Sequence, residues 1–166
     1  MEKGNKQRIT VGSIFMVELD TGYHTYGRIV STSSYAFYDC RVNSDISDLR
    51  EIVSSPVLFI TSVYNEAITS GHWKKIGHLP LETFLQKLPP RFIQDPIHPD
   101  QFSIKDYQTN KTISATKEDC IGMERASVWE ARAIEERLND FYSGKYQFNA
   151  NYFDRPELFQ KVAVSA

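Results

Sequence analysis

SIFMVELDTGYHTYGRIVS, residues 13 to 31, consists of two β-branched and aromatic runs on either side of Thr21-Gly22. Gly22 can supply the positive φ of a tight turn, so the pattern predicts a β-hairpin with Asp20 at its turn. Along the first run Phe15, Val17 and Leu19 fall on one side of the pleat and Ile14, Met16 and Glu18 on the other, which points the first three inward. The chain is thus expected to begin an antiparallel sheet. SYAFYDCRV (34 to 42) reads as a third strand. VLFITSVY (57 to 64) is the most continuous apolar run and is expected to be a central strand covered on both faces.

Between these strands, SDISDLREIVSSP (44 to 56) changes period. Ile46, Leu49 and Val53 make one stripe of a helix, Asp45 and Asp48 favour its positive N-terminal end, and Pro56 stops it. NEAITSG (65 to 71) predicts a helical turn closed by Gly71 in left-handed geometry. The prolines of LPPRFIQDPIHPD (88 to 100) predict extended backbone and turns rather than regular structure. QFSIKDY (101 to 107) and KTISA (111 to 115) read as a second hairpin joined across Gln108 to Asn110.

Helical signals close the chain. Thr116 with Asp119 and Ser127 with Glu130 have capping-box spacing, predicting a short helix bent into a longer one. In the longer one Ala131, Ile134, Leu138 and Phe141 form a buried stripe opposed by Arg132, Glu135, Glu136 and Asp140, and Gly144 ends it. Asp154 and Pro156 open a small terminal helix, PELFQKV. Strands first and helices last give an α+β class: a curved antiparallel sheet or partly closed barrel packed by C-terminal helices. The 166 residues, 41% hydrophobic, suffice for one ordinary domain. We assign residues 1–10 to a flexible leader, 11–145 to that domain and 146–166 to a C-terminal extension with a short helix.

A formal charge of -2 leaves no basic excess of the kind a phosphate-neutralising protein carries, which argues against nucleic acid as partner. No apolar run is long enough for a signal peptide or a membrane span, so a cytoplasmic, membrane-free protein is expected. Cys40 and Cys120 are too few and too far apart for a zinc site. Nucleophile-elbow, dinucleotide-binding and P-loop motifs do not occur, so neither catalysis nor a cofactor is expected. SGHWKKIGH (70 to 78) invites a metal reading, yet His72 and His78 on a regular strand would stand ~20 Å apart. We read that stretch as structural. Because Trp73 and Ile76 cannot share one face of a regular strand, either a bulge intervenes or one of them is exposed.

VGSIFMVELDTGYHTYGRIV (11 to 30), SPVLFITSVYNEAITSGHWKKIGHLPLE (55 to 82), PPRFIQDP (89 to 96) and SATKEDCIGMERASVWEARAIEERLNDFYSG (114 to 144) resemble successive blocks of the immunity protein 26 family of bacterial polymorphic-toxin systems. The resemblance spans about residues 11 to 145, with Ser13 where the family often has an acid. It implies a cytoplasmic, non-catalytic α+β protein that binds and neutralises a cognate toxin domain encoded nearby, as in contact-dependent inhibition. An acidic face suits a toxin with a basic substrate groove, such as a nuclease. Candidate contact residues are the acids Glu135, Glu136 and Asp140, the acids Asp45 and Asp48, and the aromatics Tyr23, Tyr26 and Trp73. The alternatives are a small single-stranded nucleic-acid module stacking bases on exposed aromatics, and an enzyme using Cys40 or Cys120.

Overall fold

A computed structural model of the chain describes residues 6–145. The elements in order are β1 (Ser13–Glu18), β2 (His24–Ile29), β3 (Ser34–Tyr38), α1 (Leu49–Val53), β4 (Val57–Val63), α2 (Glu66–Thr69), β5 (Lys74–His78), β6 (Arg91–Gln94), β7 (Phe102–Asp106), β8 (Lys111–Ala115), β9 (Glu124–Arg125), β10 (Val128–Trp129) and α3 (Ala131–Tyr142). They build a six-stranded sheet in the order β10-β4-β3-β2-β1-β5 and a four-stranded sheet in the order β8-β7-β6-β9. Most pairings are antiparallel, with β10 and β9 running parallel to β4 and β6. The class is α+β as expected, and neither sheet closes into a barrel.

The predicted first hairpin is present: β1 pairs β2 from Ile14↔Arg28 to Glu18↔His24. Thr21 (φ 62°) and Gly22 (φ 78°) both take positive φ in its turn. The expectation that only the Phe15 side of β1 is buried is corrected, because Ile14 is also fully buried. On one face, Phe15, Val17, Tyr35, Phe37, Trp73 and Trp129 pack with Ile134 and Leu138 of α3. On the other, Ile14, Tyr26 and Tyr38 pack against Ile52 of α1. Both faces being covered also settles Trp73 and Ile76, which join opposite cores. A register shift does interrupt the β1–β5 ladder between Ile14 and Phe15.

Further expectations need revision. The doubly covered strands are β2 and β3, every residue of which is buried, whereas β4 alternates and is flanked by the two-residue β10. The helix predicted over 44–56 shortens to α1, one turn capped by Asp48, whose Oδ1 accepts from Arg50 N at 3.0 Å. The proline-rich stretch contains β6, because Pro89-Pro90 and Pro96 bracket the strand instead of interrupting it. The Thr116/Asp119 box forms reciprocally, Thr116 N donating to Asp119 Oδ2 (3.0 Å) and Asp119 N to Thr116 Oγ1 (3.2 Å), but it caps a single 3-10 turn. Ser127 caps nothing: it lies in the short link between β9 and β10, and α3 begins after Glu130. Residues 7–10, assigned to the leader, are tied to the fold from Gln7 onward, its N–H donating to Thr69 O. The predicted helix after Pro156 lies outside the described residues.

Charged side chains inside this framework fix how its parts meet. Arg28, fully buried, spends all five guanidinium donors: Nε on Gly12 O, Nη1 on Tyr38 Oη and Glu82 Oε2, and Nη2 on the carbonyls of Leu79 and Pro80. Buried Arg137 forms a two-bond pair with Glu124, each contact 2.8 Å, and stacks over Phe59 at 3.7 Å. That pair joins α3 to β9, so helix and second sheet are positioned together.

Candidate functional site

The solvent side of α3 forms one wall of a groove of about 760 Å³. Arg132, Glu135, Glu136, Asn139 and Asp140 supply that wall, spaced as one helical face, while Glu18, Leu19 and Asp20 at the first hairpin turn, together with His72 and Trp73, supply the other. Three hydrogen bonds hold the walls together. Glu135 Oε2 accepts from Trp73 Nε1 (3.0 Å) and from His72 Nε2 (2.9 Å), and Asp20 N donates to Asn139 Oδ1 (3.1 Å). The carboxylates of Glu18, Asp20, Glu135, Glu136 and Asp140 outnumber the fixed cations Arg132 and Lys145, so the groove is negative. Small-molecule pockets are mainly apolar with a few polar groups. This lining is mainly charged, and suits basic side chains of a macromolecule.

Beside the groove the turn carries Tyr23, whose ring lies 4.2 Å from the Arg41 guanidinium. The Tyr142 ring approaches the same guanidinium at 5.2 Å, and Tyr142 Oη donates to Asp39 Oδ1 at 3.0 Å. Burial, and next the Asp39 charge, push the Tyr142 phenol above its ordinary value. Tyrosine and arginine carry much of the energy of protein interfaces, and here the two are stacked at the edge of an acidic depression.

The structure gathers some candidate residues and separates others. Glu135, Glu136, Asp140 and Trp73 line the groove, and Tyr23 adjoins it through the turn and the last residue of α3. Trp73 is 1% exposed and stacks on Phe15, so it holds the groove floor rather than presenting a ring to solvent. Tyr26 is likewise interior. Its Oη accepts from Ile46 N (3.0 Å) and bonds His24 Nε2 (2.9 Å), and burial raises its phenol pKa. Through that pair Tyr26 fixes the loop carrying Asp45, which is exposed and 3.6 Å from His24 Nε2. Asp48 stands apart at the start of α1.

Glu18, Asp20, Asn139 and Arg41 were not among the candidates read from the sequence, and His72 was read there only as part of a structural stretch. Glu18 and Asp20 flank a recognisable turn, but only the docking of that turn on α3 gives them a common purpose, and Arg41 carries no local signal. Burial also removes Tyr26, Tyr35, Tyr38 and Trp73 from the rings that a base-stacking surface would need. Cys120 is buried, and desolvation raises its thiol pKa, the opposite of what an activated nucleophile requires. Among the described residues no three His, Cys, Asp or Glu side chains converge as a metal-holding group, and no helix is long and apolar enough to cross a membrane.

A search of curated proteins and a search of solved structures each find no match. The profile of the family described as Immunity protein 26 matches residues 10–103, which run from just before β1 to the start of β7 and include the hairpin-turn and His72-Trp73 wall of the groove, though not α3. The match covers more than half of the 166 residues, and the chain belongs to the immunity protein 26 family.

Proposed function

We propose that this chain neutralises a cognate toxin domain in the bacterial cytoplasm by forming a tight one-to-one complex, without catalysis of its own. Family membership supports the immunity role. The single observation that carries the mode of binding is the groove beside α3, where carboxylates from two walls face one depression. A toxin whose own site is basic, as a nuclease's is, would place lysines or arginines there. Complementary charge accelerates encounter, and close pairs across an interface can each couple by about 1.5–7 kcal/mol. Tyr23 and Arg41 would anchor the edge of the contact.

Co-expression with the toxin domain from the neighbouring reading frame tests this reading. Growth rescue and co-purification are the expected results. Rescue without a complex, or turnover of a toxin product by the purified chain, would contradict it.

A further inference from the structure

We propose that two copies of this chain pair through the outer edge of β8, joining their four-stranded sheets into one about a two-fold axis at Ile113. The molecule treats its two long sheet edges differently. Along β5 the side chain of Gln7 takes the place of a strand: its Nε2 donates to Trp73 O (2.8 Å) and its Oε1 accepts from Lys75 N (2.9 Å). Lys75 Nζ also reaches Arg8 O at 3.0 Å, drawing the N-terminal strap across that edge. β8 ends the other sheet, and among the described residues no segment pairs with its outer side. A strand of five residues without proline, its middle apolar, is a template for another strand unless something guards it.

The register of the sheet says what would fit. Phe92 pairs with Ile104 and Ile104 with Ile113, so one apolar row crosses β6, β7 and β8 on the side where Phe92, Phe102 and Cys120 form the small core. The row stops at Ile113, which is 61% exposed. Continuing it with a second β8 in antiparallel register about Ile113 sets isoleucine against isoleucine, Thr112 against Ser114 of the partner copy, and Lys111 against its Ala115. Apolar meets apolar, hydroxyl meets hydroxyl, and no like charges oppose one another, which are the favourable cross-strand combinations. The strand is therefore complementary to itself, as a two-fold contact requires. A single strand pair buries less than a permanent interface, so the dimer is a weak one, with a dissociation constant on the order of 100 µM.

Sedimentation of the full chain across about 10–500 µM, a range that brackets that constant, tests this. The mean mass should climb from one chain toward two, and Ile113→Lys, at an exposed position, should stay a folded monomer throughout. Under mild oxidation Ile113→Cys should form a disulfide-linked dimer, because facing residues bring their Cβ atoms within disulfide reach, whereas Thr112→Cys, diagonal to itself in this register, should not. The proposal fails if the full chain stays monomeric over the range. It also fails if Ile113→Lys associates as before, if Thr112→Cys crosslinks as readily as Ile113→Cys, or if association requires ending the chain at Lys145, since the C-terminal extension would then hold the edge.

Discussion

At Gly27 the absence of a side chain admits a ring. A Cβ there would lie 2.4 Å from Phe15 Cζ and 2.9 Å from Ala36 O, and neither neighbour can yield, since Phe15 is itself stacked on Trp73 at 5.2 Å. Gly27→Ala is expected to cost about 1–3 kcal/mol, the range for overpacking a filled core, and to change the near-ultraviolet circular dichroism of the aromatic cluster. The next residue, Arg28, is the reverse case, a large charged group that the fold is built around. Arg28→Met would leave the Gly12, Leu79 and Pro80 carbonyls without their donor and Glu82 without its cation. Urea denaturation should show a loss of about 1–3 kcal/mol or more, the cost of a buried acceptor left without its donor, whereas the partly exposed Glu82 can be solvated. Arg28→Lys should recover only part of it, because an ammonium cannot fork to as many acceptors. Sequence patterns hid Arg28 because the strand alternation treats a charge as solvent-facing, and nothing near it in sequence offers the five acceptors.

At the scale of elements, the attachment of α3 decides whether the groove exists. Arg137 lies between Ile134 and Leu138 on the buried stripe, paired with Glu124 and stacked on Phe59. Glu124→Gln removes the anion from a buried cation and should destabilise by about 3–5 kcal/mol, while joint replacement by Glu124→Leu and Arg137→Met should restore most of that stability. If the double variant is as unstable as the single one, the loss comes from removing the pair itself and not from leaving the Arg137 charge unpaired. Elements whose causes are local were legible in the sequence: the first hairpin from its alternation and Thr21-Gly22, α3 from its apolar stripe, and the Thr116/Asp119 box from side-chain spacing alone. The length of what that box caps was not legible, since the chain after Cys120 is recruited by β6 and β4 as strand. β6 was missed for a related reason: prolines beside a strand and prolines within one look alike until the pairing partner is known.

Across the whole molecule, buried phenols set its response to base. Tyr35, Tyr38 and Tyr26 are held above their ordinary value chiefly by burial, and Tyr142 likewise. The folded chain therefore keeps protons that the unfolded chain releases once the pH passes about 10, so the contribution of these phenols to stability is flat below that point and falls as the pH rises above it. Tyr35→Phe should make the alkaline decline shallower. It should also cost roughly 1 kcal/mol at neutral pH through the lost bond to Asn65 Oδ1. The site was legible on one wall and, on the other, only at Trp73. Glu135, Glu136 and Asp140 follow from helical spacing, but Glu18 and Asp20 join them through tertiary packing, and Glu135 turns out to be occupied with Trp73 and His72. Charge reversal is best confined to the exposed acids Glu18, Asp20 and Glu136, which leaves the bonds of Glu135 in place. The decisive measurement is the rate at which the purified chain associates with its toxin domain, followed from low to moderate salt. Glu18→Lys, Asp20→Lys and Glu136→Lys together should slow association about tenfold or more at low salt and flatten its salt dependence; an unchanged rate and unchanged salt slope would contradict the groove as the binding face.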